Sequence, residues 1–447
     1  MANARNSSAD VPARTPPRNE RVHGEKCTSS RFMCSEQSRL DGTRQIIGTA
    51  GEFPRMSRRA GRRFRRQAKR LKIRQDRCDE LGGVDKVFNY RDLYKAGKKC
   101  CNGVRWKQSV QNFELRLFSG TAARRRAVLS SKYKFSPYVH FTLRERGKVR
   151  PIDAPRIQDR QVEKVFTQKV LLPLYLPSMI HNNGASLPNK GFHFSQRMLI
   201  RDLCRHFRKY GREGGIILAD GKKFFPSANH EYIYSRHKKF ITDEDLRAFG
   251  DAVVKTISVG VGMPLGVEPS QAEMIAYPSA MDNYLAAQCK LTGGHYMDDF
   301  YNLLLPETDY REVLKTLREQ ARLNKFNLNN DKTRYAPLTK PFRYCKTKYI
   351  LTESGKVVMR ANKAAVPRDR RKIKSLHRKW CAGEIDLETI WASVNGMFAY
   401  LNIYDEHRKI LRLRRLFYSL FGFSCESIEN FRRSERDGVH HRKKIQA

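Results

Sequence analysis

Apolar positions are spread unevenly along this chain. Residues 1–54 are rich in Ser, Asn, Arg and Pro and hold no sustained apolar period, which predicts a disordered segment. From Met56 to Arg77, MSRRAGRRFRRQAKRLKIRQDR contains helix formers, no proline, and arginines on every face. It predicts an arginine-rich helix within 55–83. A helix that is polar all round is unstable alone, and this one suits an RNA groove, where Arg forks onto phosphates. Arg62, Arg63, Arg65 and Arg66 are its candidate nucleic-acid contacts. Globular composition begins near Val84. CCNGVRWKQSVQNFELRLFSG mixes apolar and basic residues and predicts a helix packed on the next unit. YVHFTLRERGKVRPIDAPRIQDRQVEKVF predicts a strand, a turn around Gly147, a second strand and a helix. Strands and helices then alternate from Ile216 to about Lys348. KAAVPRDRRKIKSLHRKW and LETIWASVNGMFAYLNIYDEHRKILRLRRLFYSLFGF space their apolar residues helically under basic faces. They predict a small helical domain over 357–431, followed by a basic tail over 432–447.

Charge narrows the function. Among 447 residues, 88 Lys and Arg face 45 Asp and Glu, a formal net charge of +43. Such a surplus repels itself in a compact state unless something acidic neutralises it, and phosphate is the natural partner. An anionic membrane is the rival. No run of about 18 apolar residues and no leader with an apolar core appears, so the expectation is a soluble, cytoplasmic protein without membrane contact. The ten cysteines include no C-x-x-C pair. That argues against a zinc site and for reduced thiols.

Five stretches carry candidate chemistry. In GGHYMDDFYNLLLP, from Gly293, two aspartates sit between short apolar runs. Read as a hairpin, its turn falls on Met297, Asp298 and Asp299, where carboxylates hold hard divalent ions without spoiling a core. In GGIILADGKKFFPSANHEYIYS, a buried strand ends at Asp220, which can then face the hairpin tip. Two-metal nucleotidyl transfer needs carboxylates gathered around ions ~3.5–4 Å apart. Phe225, five residues on, suits the floor of a sugar pocket that rejects a 2′-hydroxyl, whereas Phe224 reads as core. In VGVGMPLGVEPSQAEMIAYPSAMDNYL, Gly260, Gly262, Pro264 and Gly266 make a loop of close backbone approach before a helix opened by Ser270 and Gln271. Gly266 and Gln271 are its candidate nucleotide contacts. In NLNNDKTRYAPLTKPFRYCKTKYILTESGKVV, from Asn327, Lys332 suits a general acid or a countercharge at the leaving pyrophosphate, and FRYCKTKYIL reads as a strand pair supporting a primer end. In RERGKVRPI, Lys148 and Arg150 flank a glycine turn and suit an incoming triphosphate. Asp153 and Asp159 read as structural. Lys190, beside Gly191, suits a template or nucleotide backbone.

In order and spacing these elements resemble the reverse transcriptase family. Motif A falls at Asp220, motif B at PLGVEPSQ, motif C at YMDD, motif D at Lys332 and motif E at FRYCKTKYI. The resemblance covers about Val104 to Lys356. It implies an α+β right hand, with fingers and an antiparallel palm sheet over 84–356, a helical thumb over 357–431 and a basic N-terminal extension. It implies two Mg²⁺ ions, or Mn²⁺ in their place, held by Asp220 and Asp298 with Asp299 beside them. Phe225 and Gly266 would touch the incoming deoxynucleotide, and Met297 the nucleic acid. ERGKVRPI, IQDRQVEKVF and the SQ after the glycine loop are similar to retron, group II intron and phage-defence enzymes, and CNGVRWKQSVQNF is most similar to the unclassified, defence-associated set. Three features depart from the pattern. Leu265 stands where retroviral motif B has glutamine, Tyr344-Cys345 replaces the usual Leu-Gly of motif E, and small Ala219 and Gly221 flank Asp220.

The leading expectation is an RNA-directed DNA polymerase that copies a dedicated noncoding RNA from dNTPs into a DNA product, in antiphage defence. No RNase H, nuclease or integrase module is evident, which favours a resident enzyme over a mobile element. A second copy of the chain or an accessory defence protein is a candidate partner. Template-independent or protein-primed synthesis on the same fold is the alternative, and a non-catalytic maturase-like RNA-binding protein is a third reading.

Overall fold

The computed structural model describes residues 58–145, 148–256 and 260–424. The segments 1–54 and 432–447 and the turn at Gly147 lie outside these residues, as do the side chains of Arg62, Arg63 and Lys148. Two compact units divide between Arg63 and Phe64, within the first helix. Among the described residues no helix is long and apolar enough to cross a membrane.

The first described element is helix α1 (Arg58–Glu80), a 23-residue helix where the arginine-rich stretch predicts one. Four shorter helices follow: α2 (Gly83–Val87), α3 (Tyr90–Cys101), α4 (Gln108–Leu115) and α5 (Leu117–Leu129). Asn89 starts α3 by accepting a hydrogen bond from the Asp92 backbone N–H, which satisfies one of the donors a helix start leaves open. Strands β1 (Val139–Glu145) and β2 (Lys148–Ala154) pair as an antiparallel hairpin, as the sequence predicts. Helix α6 (Ile157–Phe166) runs through a π-helical turn (Thr167–Leu171) into α7 (Leu172–Tyr175). Buried Gln161 of α6 donates to the Leu93 carbonyl and to Thr121 Oγ1, tying α3, α5 and α6 together. Asp159 accepts from the Tyr133 hydroxyl and the Ser136 N–H, the structural role its position suggests.

Helix α8 (Phe192–Tyr210) leads into β3 (Gly215–Asp220), α9 (His230–Phe240), α10 (Glu244–Lys255), α11 (Glu268–Ala276) and α12 (Ser279–Ala287). Then come β4 (Thr292–Tyr296), β5 (Asp299–Leu304), α13 (Tyr310–Leu323) and β6 (Arg334–Pro337). The four strands form one antiparallel sheet in the order β4-β5-β3-β6. Every residue of β3 is buried. Ile217 and Ala219 join Phe300 and Leu304 in a core that also holds Met274, Tyr277 and Leu317. Ile216 and Leu218 join Tyr301 and Leu303 in a second core with Leu199, Leu203, Tyr344 and Tyr349. Both faces of the sheet are therefore covered, which explains why β3 reads as a continuous apolar run rather than an alternating one.

Strands β7 (Phe342–Tyr344), β8 (Thr347–Leu351) and β9 (Val357–Arg360) make a separate three-stranded meander. The helices α14 (Ala365–Cys381), α15 (Leu387–Leu401) and α16 (His407–Phe421) close on their own core of Ile373, Ile390, Val394, Leu413 and Phe417. All the described cysteines are free.

Candidate active site

Strand register brings the acidic residues together. Asp220, the last residue of β3, pairs directly with Asp299, the first residue of β5. Side chains alternate across a strand, so Asp220 lies on the face of Ile216 and Leu218, and Asp299 on the face of Tyr301 and Leu303. Both carboxylates thus emerge on one face, at the separation of a cross-strand pair, ~4.5–5.5 Å between Cβ atoms. Tyr296 pairs with Asp299, so the hairpin turn is Met297-Asp298. Asp299 is already strand, one residue earlier than the sequence suggests. Met297 takes a positive φ of 56°. The tip is fixed by backbone: Gly221 N–H donates to the Asp298 carbonyl at 2.9 Å, and Asn329 N–H to the Asp220 carbonyl at 2.7 Å. The second bond also docks the loop carrying Lys332, whose Nζ sits 2.9 Å from both Asp220 carboxylate oxygens. Lys332 is therefore on the first aspartate itself.

The electrostatics follow from this crowding. Burial, then the charges of Asp298 and Asp220, push Asp299 up to about 6; a hydrogen bond with Cys345 and the charge of Lys332 oppose the rise. Its bond to Asp220 raises Lys332, so the lysine is a firm cation. Among the described residues no three His, Cys, Asp or Glu groups close on a common point as they stand. The donor set nonetheless fits a hard divalent cation. It is all carboxylate oxygen, it holds more negative charge than one lysine balances, and the strain appears as the raised Asp299.

Several supporting residues escaped the sequence reading. Gly293 and Gly294 are bare because neighbours fill the space. A Cβ on Gly294 would lie 2.7 Å from Asn182 Cβ and 2.8 Å from its carbonyl oxygen. The outer edge of β4 pairs with the 182–184 segment, where His295 N–H donates to Asn182 O and Gly184 N–H to His295 O. Asn182 Nδ2 donates to Asp202 Oδ2 at 2.7 Å and to the Gly293 carbonyl at 3.1 Å, and the Tyr301 hydroxyl donates to the same Asp202 oxygen at 2.9 Å. Buried His295 bonds the Met297 carbonyl through Nδ1, with Nε2 3.1 Å from Asp282 Oδ2 and its ring stacked on Phe300. A histidine inside an apolar strand was the one sequence signal for this bracket. On the carboxylate face, Cys345 and Lys346 make the β7–β8 turn, with φ of 47° and 66°. The buried Cys345 thiol reaches Asp299, and burial, then that charge, raise it well above the usual thiol range.

The other candidates divide. Phe224 is core. Phe225 is half-buried against the same cluster, and its carbonyl accepts from Met263 N–H at 2.8 Å, which joins the post-Asp220 loop to the glycine loop. Gly262 N–H donates to the Ala228 carbonyl, and His230 Nε2 to the Gly262 carbonyl. Gly266 has φ of 104° and is exposed, with Ile152 of β2 beside it. Gln271, held by the Ser186 hydroxyl, and Gly266 line a cavity of about 390 Å³ between α6 and α11. Glu163 and Thr167 face it with buried oxygens that find no partner, and burial pushes the Glu163 carboxyl up to about 8. The helix behind it begins at Glu268, two residues before Ser270, because Pro269 fits a first turn. Arg150 lies exposed on β2, and Arg65 and Arg66 are exposed on α1. Lys190 is engaged within the chain. Its Nζ donates to the His181 and Asn183 carbonyls, at 2.8 and 3.0 Å, and lies over Phe194. It clamps the segment that brackets β4, because two orphan carbonyls there need a donor.

An antiparallel sheet that ends a buried strand on one carboxylate, faces it with a two-aspartate hairpin tip and docks a lysine on the first is the arrangement of a nucleic-acid polymerase. Residues 139–348, just under half of the chain and including all of these strands, match the family described as reverse transcriptase (RNA-dependent DNA polymerase). The chain carries a reverse transcriptase domain and is thereby an RNA-directed DNA polymerase, a nucleotidyltransferase. No curated protein matches it.

Proposed function

We propose that this enzyme copies a dedicated noncoding RNA into DNA in antiphage defence, with Asp220, Asp298 and Asp299 as its catalytic carboxylates. The register that sets Asp220 opposite Asp299 beside the Asp298 tip carries the reading. In it, α2–α6 with the β1–β2 hairpin are the fingers, the four-stranded sheet with its helices is the palm, and α14–α16 are the thumb. The arginine-rich α1 adds a basic extension for RNA, and the protein works in the cytoplasm.

Asp220, Asp298 and Asp299 would hold two Mg²⁺ ions, which when bound activate the primer 3′-hydroxyl and steady the pyrophosphate. Lys332 holds the Asp220 carboxylate by both oxygens. It would serve the leaving phosphates as proton donor or countercharge. Phe225, braced by the glycine loop, floors the sugar pocket and excludes a 2′-hydroxyl. Gly266 presents bare backbone to the nucleotide, Gln271 lies beside it, and Lys148 and Arg150 approach the triphosphate from the hairpin. Met297 abuts the primer end at the tip.

Sequencing the RNA and DNA that co-purify with the protein tests the template assignment. The expected result is one enriched RNA with complementary DNA. DNA of simple or random sequence, or DNA joined covalently to the protein, would replace templated copying with untemplated or protein-primed synthesis.

A further inference from the structure

The three most exposed large apolar side chains among the described residues lie within thirteen positions of one another. They are Leu115 at 85 %, Trp106 at 75 % and Phe118 at 71 % exposure. Isolated exposed apolar residues need no explanation, but a cluster does. These side chains are surplus to the local core, where Cys101, Val110, Phe113 and Leu117 already fill the space between α3, α4 and α5. Phe118 meets Tyr90 edge-on at 5.1 Å, and Tyr90 lies nearly parallel to Tyr94 at 6.2 Å. The Tyr90 hydroxyl donates to the Phe118 carbonyl at 3.0 Å, which locks the two helices in this pose. Lys98 lies over the Tyr94 ring, one helical turn on, and Lys107 over Trp106.

Charge selects the occupant. Tyr90–Leu129 holds ten Lys and Arg against two acidic residues, and both acids are already paired. Asp92 lies 2.9 Å from Lys169, and Glu114 receives Arg105 Nε on both oxygens. Protein interface cores are depleted in lysine, whereas aromatic rings interleaved with cations suit single-stranded nucleic acid. Duplex bases keep their faces stacked on one another, so exposed rings have purchase only on unpaired bases.

We propose that the outer face of α3–α5 is a stacking platform for a single-stranded stretch of the RNA bound by this enzyme. Trp106, Phe118 and Tyr90 are its stacking surfaces, and Lys98 and Lys107 its phosphate contacts. That the strand is RNA rests on the reverse transcriptase reading.

The test compares full-length wild type with Trp106→Ala/Phe118→Ala in binding an unstructured oligoribonucleotide of about 16 nucleotides and an RNA duplex of equal length. The double variant is expected to lose about ten-fold or more in affinity for the single strand and to keep its duplex affinity and its salt slope, since stacking releases no counterions. Trp106→Tyr/Phe118→Tyr is expected to restore most of the single-strand affinity. Unchanged single-strand binding, equal loss on both ligands, or altered self-association of the alanine variant would each overturn the platform; the last would make the patch a contact between copies. Primer extension by the wild type on an RNA template tests the parent reading separately. Extension together with unaltered single-strand binding by the variant would sink the platform alone.

Discussion

At the scale of single residues, the site turns on how one lysine and three carboxylates share charge. Lys332 reaches both oxygens of Asp220 because Asn329 pins its loop to the Asp220 carbonyl. Lys332→Ala is expected to slow single-nucleotide incorporation by about 10²-fold or more, the scale of a lost general acid, with RNA affinity within about two-fold by filter binding. Unchanged incorporation would make the lysine a bystander. Phe225 stands half-buried against the core beside the glycine loop, and the role proposed for it is the floor of the sugar pocket. Phe225→Ala is expected to raise the ratio of ribonucleotide to deoxynucleotide kcat/KM by at least about ten-fold, and an unchanged ratio would remove it from the sugar pocket. The meeting of Asp220 with the hairpin tip was legible in the sequence, because a buried apolar run fixes where a strand ends, and Phe224 was legible as core. The carbonyl contacts of Lys190 were not legible. Its partners are two backbone carbonyls brought near by folding, and sequence spacing says nothing of them.

At the scale of elements, the hairpin is held from three sides: by β3, by the 182–184 segment, and by the Asn182, Asp202 and Tyr301 network beneath it. Gly294 is a tight joint, packed against Asn182. Gly294→Ala is expected to cost ~1–3 kcal/mol of stability, as overpacking does, in a denaturant melt read by far-ultraviolet circular dichroism. A melt unchanged from wild type would show that β4 has room to shift. The sequence showed both strands of this hairpin and its turn to within one residue. It hid the reason for Gly294, since that reason is Asn182, more than a hundred positions upstream, whereas Gly293 is crowded by Asn302 and Tyr301 of the paired strand. The Tyr344-Cys345 pair reads as a departure from motif E. In the fold Tyr344 ends β7 against Tyr301, and Cys345 supplies the turn that reaches Asp299. A strand pair was expected there, but its contact with the carboxylates was not.

At the scale of the whole molecule, buried ionisable groups couple stability to pH. Burial alone would lower His237, but the charge of Glu273 and hydrogen bonds to Asp251 and Glu273 outweigh it and raise the imidazole to about 9. Its contribution is complete below the unfolded value near 6.5 and is lost as pH rises through about 9. Glu163 acts in the same sense over a lower window. It prefers its proton in the folded state, so stability falls as pH rises from about 4.5 through about 8. The thermal midpoint is thus expected to fall between pH 6 and 9, and Glu163→Gln to flatten the lower part of that slope. A midpoint level across the range would contradict both assignments. The net charge of +43 leads to a further expectation, that RNA affinity drops steeply with salt.

The proposed activity places RNA-templated DNA synthesis on the aspartates gathered by β3 and the β4–β5 hairpin. The most direct test is primer extension on an RNA template with dNTPs and Mg²⁺, comparing wild type with Asp298→Asn and measuring RNA affinity in parallel. The expected result is extension by wild type, none detectable with Asp298→Asn, and RNA affinity equal within about two-fold. Extension by Asp298→Asn at the wild-type rate would contradict the assignment of the site.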